Sequence, residues 1–328
     1  MIAIIGAGAW GTALATVTRR AGHDVIIWAF ERHVAESINT DRENPLYLPG
    51  HRLEVGIEAT TTLTDTVAAK EVLLVVPAQH LRKTIEPLRS LLPITTPLIV
   101  CSKGIEQGSL LLMSEVVSEL FPENPTMVLS GPTFAAEAAA GLPTAITLAG
   151  ADIHAAQEVG QSIGSERFRP YSSDDVIGTQ IGGAVKNVLA IACGIADGRQ
   201  FGDNASAAII TRGLLELTRL CIAKGGRPET MMGLTGLGDL VLTCTSKQSR
   251  NYSLGIALGQ GNELAEILKN RQTVAEGIYT ASAAAGLAKK LSIEMPITRA
   301  VDAILNRGVS IERLIDDLLA RPLRAEAD

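Results

Sequence analysis

The chain of 328 residues is 46% hydrophobic and 20% charged, with a formal net charge of −6 and a pI near 5.5. That length predicts two domains with separate cores, and the acidic balance excludes a surface built throughout to hold nucleic acid, so any anionic ligand must meet a local cluster of cations. Four scattered cysteines, Cys101, Cys193, Cys221 and Cys244, read as reduced core residues; with no signal-peptide pattern and no apolar run expected to reach the roughly 18 to 20 residues of a bilayer span, they predict a cytoplasmic protein.

Short β-branched runs at 2–5, 24–28, 58–61, 72–76, 97–101 and 127–130 alternate with helical periodicity at 11–20, 32–39, 81–91 and 110–120. This rhythm predicts a parallel sheet covered by helices on both faces, which 145–148 and 167–171 could extend. Beyond residue 174 the β-rich runs stop, and long Ala/Leu/Ile stretches at 176–196, 205–223 and 275–290 predict helices. We therefore expect an α/β domain over 1–175 and an all-α domain over 176–328, with 321–328 as a solvated tail.

Gly6-Ala7-Gly8-Ala9-Trp10-Gly11 follows the first predicted strand and opens the first predicted helix. In that context Gly6 permits the tight turn, Gly8 lets the backbone approach a pyrophosphate, and Gly11 lets the helix pack on the sheet, the fingerprint of a Rossmann-type, doubly wound dinucleotide-binding fold. The residues after the second strand, Trp28-Ala29-Phe30-Glu31-Arg32, are ambiguous. Glu31 could hold a ribose hydroxyl as in NAD sites and Arg32 could pair with the 2′-phosphate of NADP, or both could open a solvated helix. Val75-Val76-Pro77-Ala78 ends a buried strand where a cofactor would lie.

Lys103 follows a predicted strand and should emerge at the same carboxyl edge. Lys186 sits in an almost uncharged stretch where a solvated lysine is unexpected. A lysine there could snorkel, or it could stabilise the alkoxide formed when hydride reaches a ketone and deliver its proton, provided burial and neighbours such as Lys103 and Arg250 lower its pKa. Ser249-Arg250-Asn251 opens a predicted helix with Ser249 as its cap, so a phosphate could meet both backbone N–H groups and a guanidinium. Asp239, in a glycine-flanked turn, could orient Lys186, accept a substrate hydroxyl, or simply cap a helix. The five histidines show no metal-ligand spacing, so no metal is expected, and no serine-hydrolase elbow occurs.

These residues resemble the bacterial-type NAD(P)-dependent glycerol-3-phosphate dehydrogenases. The resemblance rests on the glycine turn, on 102–106, 130–135, 182–187, 236–245, 249–251 and 274–277. It implies a Rossmann domain followed by an all-α substrate domain, and reversible hydride transfer between NAD(P)H and dihydroxyacetone phosphate, giving sn-glycerol 3-phosphate for phospholipid synthesis, with Lys186 as proton donor or acceptor. It further implies substrate contacts from Lys103, Gly131, Thr133, Lys186, Asp239, Ser249, Arg250 and Asn251. Cofactor contacts would come from Trp10, Lys103, Ala135, Arg250, Val274 and Glu276, with Phe30 and Arg32 after the second strand completing the set begun by Gly6, Gly8 and Gly11.

Two departures stand out: Ala9 where family members often carry serine, and Phe30 and Glu31 where basic residues are usual. Arg32 restores a cation one position later, so activity with both NADPH and NADH is expected, NADPH somewhat favoured. A homodimer is the base-rate expectation. Two other readings stay open: a related two-domain enzyme acting on ketopantoate or a β-hydroxy acid, whose carboxylate would suit Arg250 equally, and a dinucleotide sensor that would have no use for a buried lysine.

Overall fold

The computed structural model describes residues 1–269, 275–322 and 325. Its first half supplies β1 (Ile2–Ile5), α1 (Ala9–Arg20), β2 (Val25–Trp28), α2 (Arg32–Asp41), a hairpin of β3 (Glu43–Asn44) and β4 (Leu48–Arg52), then β5 (Ile57–Thr60), β6 (Glu71–Leu74), α3 (Leu81–Ile85) and β7 (Leu98–Val100). It continues with α4 (Met113–Leu120), β8 (Thr126–Ser130), α5 (Ala135–Ala139), β9 (Thr144–Gly150), α6 (Ile153–Ile163) and β10 (Phe168–Ser173). Eight strands form one sheet in the order β5-β2-β1-β6-β7-β8-β9-β10, parallel from β5 to β8. Within this sheet β8 and β9 are the antiparallel pair, joined by a connection that holds the short α5.

Burial explains the composition of the strands. All four residues of β1 are buried. Ile2 and Ile4 join the apolar layer that includes Leu14, Val17 and Ile27, whereas Ala3 and Ile5 join the opposite layer with Val72, Leu81 and Val117. A strand covered on both faces reads as a continuous apolar run, and the fold is the expected doubly wound sheet.

Two predicted helices are shorter than expected. The one at 81–91 breaks after Ile85 into a 3-10 turn, Glu86–Leu88, because Pro87 has no N–H to continue the helical ladder. The one at 110–120 starts only at Met113, since Leu110 adopts a left-handed φ of 62°.

The second half is helical: α7 (Val176–Gly198), α8 (Gly202–Ala223), α9 (Pro228–Met231), a π-helical turn at Leu234–Gly238, α10 (Asp239–Thr245), α11 (Arg250–Gly259), α12 (Leu264–Lys269), α13 (Gly277–Lys290), α14 (Pro296–Arg307) and α15 (Ile311–Leu319). At 23 residues and a mean hydropathy of 1.4, α7 does reach bilayer-spanning length and apolarity, contrary to the sequence expectation. It is instead the axis of the helical core, where Val185, Val188, Leu189 and Ile191 are wholly buried. The Asp175 carboxylate fixes its start by accepting from the N–H groups of Gly178 (2.8 Å) and Arg227 (2.9 Å).

Glycines let α7 lie against α11 almost backbone to backbone. A Cβ on Gly198 would come within 3.0 Å of the Gly259 Cα, and one on Gly255 within 2.9 Å of the Gly194 Cα. This close approach brings the start of α11, with Ser249 and Arg250, alongside the part of α7 that carries Lys186. All four cysteines are free and buried. Of the expected tail, 323, 324 and 326–328 lie outside the described residues.

Candidate active site

Every candidate from the first half lies just beyond the carboxyl end of a parallel strand, the edge at which doubly wound sheets bind ligands. The glycine turn follows β1. Gly6 has a φ of +119°, and a Cβ there would sit 2.9 Å from the Val75 carbonyl carbon; a Cβ on Gly11 would collide with the Gly6 carbonyl. A Cβ on Gly8, by contrast, would meet no protein atom within 4 Å. Gly6 and Gly11 are therefore required by the protein's own packing, whereas Gly8 faces open space at the start of α1, which has no side-chain cap. Trp10 carries a buried indole Nε1 with no hydrogen-bond partner. An anion held by backbone amides fits this arrangement, so the residues suit a dinucleotide pyrophosphate.

Sequence reasoning missed the support for this turn. Asn44, fully buried in the β3–β4 hairpin, donates through Nδ2 to the Ala7 carbonyl and to Thr12 Oγ1, both at 2.8 Å. From the same hairpin, the Tyr47 hydroxyl donates to Glu31 Oε1 at 2.8 Å. Phe30 is 80% exposed and stands edge-on to Trp28. Arg32 opens α2 and pairs with Glu36 at 2.8 Å on the surface. Ala135 begins α5 and packs with Trp10 over Ala13 and Leu48.

The reacting end is a buried charge cluster between the two halves. Lys186 on α7 is only 6% exposed and donates to Asp239 Oδ1 and, at 2.9 Å, to Thr243 Oγ1. Lys103, beyond β7, donates to the other oxygen of the same carboxylate at 2.9 Å and to the Gly131 carbonyl at 3.2 Å. Asp239 is fully buried, so one carboxylate joins a lysine from each half. Burial pushes the Lys186 amine down to about 8, Asp239 opposing and the Lys103 charge adding to the fall. Thr243, four residues after Asp239 on α10, was also missed; the i,i+4 spacing was its only signal.

Small residues let these elements meet. A Cβ on Gly182 would strike the Thr235 carbonyl, and one on Gly183 would strike Ser130 Oγ, which itself accepts from Thr235 at 3.0 Å. Gly131 takes a φ of +154° beside Ile146, and Thr133 Oγ1 lies 3.4 Å from the Gly131 carbonyl. Ser249 caps α11 as expected, accepting from the Tyr252 N–H. Arg250 is exposed at the first position of α11. Asn251 is buried, and its Oδ1 accepts from the Gly277 N–H at 3.1 Å, so it ties α11 to α13. Glu276 immediately precedes α13; burial raises its carboxyl pKa, while Arg250 and an N–H bond from Ala78 lower it. That bond links the helical half to the loop after β6. Val274 lies outside the described residues.

The arrangement can hold a dinucleotide on backbone amides, hold an anion at the start of α11, and supply a proton at Lys186. Comparison with known proteins bears on that reading. The profile described as NAD-dependent glycerol-3-phosphate dehydrogenase N-terminus matches residues 1–156, and its C-terminus counterpart matches 175–316. A glycerol-3-phosphate dehydrogenase [NAD(P)+] of Rhodospirillum rubrum is 54% identical, over 99% of this chain and 93% of its own. The one of Caulobacter vibrioides is 51% identical, over 99% and 98%. The crystal structure of a glycerol-3-phosphate dehydrogenase from Coxiella burnetii superposes with a TM-score of 0.94 at 40% identity, covering 98% of each chain.

Proposed function

The chain belongs to the NAD-dependent glycerol-3-phosphate dehydrogenase family, and we propose that it works through a proton held at Lys186 Nζ. It is an NAD(P)-dependent oxidoreductase acting on a CH–OH group, interconverting dihydroxyacetone phosphate and sn-glycerol 3-phosphate. The nicotinamide cofactor, when bound, supplies or accepts the hydride. Gly6, Gly8 and Gly11 would hold its pyrophosphate, with Trp10, Phe30, Arg32, Lys103, Ala135, Arg250, Val274 and Glu276 along its length.

In the reducing direction the ketone oxygen of the substrate becomes an alkoxide, and the Lys186 ammonium stabilises that charge and transfers its proton. In the oxidising direction the free amine takes the hydroxyl proton. Asp239, shared with Lys103, orients the Lys186 amine and keeps two cations together in a buried place. The phosphate would lie at the start of α11, against Arg250, Ser249 and Asn251, with Gly131 and Thr133 closing the sheet side.

The observation that carries this reading is the pair of lysines on one buried carboxylate. Following NADH or NADPH absorbance after adding dihydroxyacetone phosphate tests it. Reduction of ketopantoate in its place, or turnover unchanged in Lys186→Ala, would overturn it. We further place the catalytic half at 176–328 and the cofactor half at 1–175, and assign the enzyme to cytoplasmic phospholipid precursor supply as a homodimer, the latter measurable by light scattering.

A further inference from the structure

We propose that Tyr47 is a positioning residue that sets cofactor choice: by holding the Glu31 carboxylate beyond β2, it makes this site select NADH over NADPH. The inference rests on the dinucleotide reading above and reverses the preference expected from the sequence.

Glu31 lies three residues beyond β2, where a carboxylate in this fold accepts from the adenosine ribose hydroxyls and repels a 2′-phosphate. It sits at the N-cap position of α2 but makes no side-chain cap bond there. Instead its Oε1 accepts from the Tyr47 hydroxyl at 2.8 Å, and both side chains are partly buried. A carboxylate has two acceptor oxygens, so a bond to Oε1 fixes the group while Oε2 can still accept from a ribose hydroxyl. The phenol is pushed up to about 12 by burial and by Glu31, so it stays a donor throughout the working range.

Tyr47 is not placed by chance packing. It follows by three residues Asn44, whose side chain grips the glycine turn, and the Tyr47 N–H itself donates to Asn44 Oδ1 at 3.2 Å. One hairpin therefore touches both the pyrophosphate turn and the carboxylate that would meet the ribose, at a fixed separation. Arg32, the cation expected to welcome a 2′-phosphate, is paired with Glu36 one turn along α2, and its side chain is 86% exposed. Glu31, Arg32 and Glu36 together carry a net negative charge just beyond β2, a poor seat for a further dianion.

The test is binding, separate from turnover. Titrating NADH and NADPH against the purified full chain, by quenching of tryptophan fluorescence, should give a Kd about tenfold or more lower for NADH, the worth of one charge-assisted hydrogen bond. Tyr47→Phe should weaken NADH about three- to tenfold and leave NADPH within about twofold, so that the ratio of the two constants narrows. Glu31→Gln, at the other partner of the same bond, should bring the two constants within about threefold of each other. Equal or tighter NADPH binding in the wild type overturns the proposal, as does a ratio that moves in Glu31→Gln and not in Tyr47→Phe. Binding of neither nucleotide would overturn the dinucleotide reading along with it, whereas NADH selectivity without turnover of dihydroxyacetone phosphate would leave this inference standing and count against the assigned substrate.

Discussion

The two walls of the candidate site are made of different material. The sheet wall works with backbone: a turn in which Gly6 and Gly11 leave no room for a Cβ, and a helix start without a side-chain cap. The helical wall works with side chains: Lys186, Asp239 and Thr243 buried together, with Arg250 at the mouth of α11. Backbone amides cannot titrate and need no counter-charge, so the first wall suits a ligand that must be held unchanged. A buried amine has a pKa that its neighbours set, so the second wall suits a proton that must move.

The largest expected effect separates the walls most sharply. Lys186→Ala should lower kcat for both directions by between about 10² and 10⁴, the usual worth of a general acid or base. Cofactor Kd should stay within about twofold, because nothing on the sheet wall has changed. Lys186→Ala that binds cofactor poorly while turning over normally would invert the assignment. Gly11→Ala is the complementary break. A methyl group there runs into the Gly6 carbonyl, so the turn must open or the helix must move, at a cost of about 1–3 kcal/mol in stability. Binding of both nucleotides should fall with it, and calorimetry beside a cofactor titration measures both.

The intermediate effect concerns how the helical wall tunes its proton. Lys186 is pushed down to about 8 by burial first, with Asp239 opposing and Lys103 lowering it further. Ketone reduction needs the ammonium, so its kcat should be full below that value and fall as pH rises through about 8; alcohol oxidation needs the free amine and should rise through the same range. Lys103→Ala removes one lowering charge and leaves Asp239 to Lys186 alone, so both limbs should move to higher pH. A pH profile of Lys103→Ala that moves to lower pH, or stays where it was, would mean that the two lysines do not share the carboxylate in the working enzyme.

The same contrast explains what could be read from the sequence. The sheet wall announces itself, because Gly6 and Gly11 after a strand are forced by sterics and Gly8 leaves room for a ligand, and the alternating elements predicted a sheet covered by helices on both faces without giving its strand order. Lys186 stood out because its neighbours are apolar. What was hidden is whatever depends on contacts between distant segments: Asn44 under the glycine turn lies 37 residues from the carbonyl it holds, and Lys103 lies 136 residues from Asp239. The β3–β4 hairpin was missed for a local reason too, since a two-residue strand beside Pro45 has no period to detect. Glu36 stands four residues after Arg32 on a predicted helix, so their surface pairing was legible from spacing, whereas where the guanidinium lies relative to a cofactor was not.

Ser249 is where the two kinds of wall meet, and it carries the smallest effect. Its hydroxyl oxygen accepts from the Tyr252 N–H at 3.2 Å, which occupies a lone pair and leaves the O–H proton to donate. The same side chain can therefore cap α11 and donate to a substrate phosphate. Ser249→Ala should cost about 1 kcal/mol of stability, the typical worth of an N-cap. It should also raise KM for dihydroxyacetone phosphate by roughly three- to tenfold, one modest hydrogen bond, with kcat nearly unchanged because the reacting oxygen lies at Lys186 and not here. Ser249→Thr keeps both the acceptor and the donor and should restore stability and KM together. If the threonine restored stability alone, the hydroxyl would be a cap only, and the phosphate would rest on Arg250 and the backbone at the start of α11.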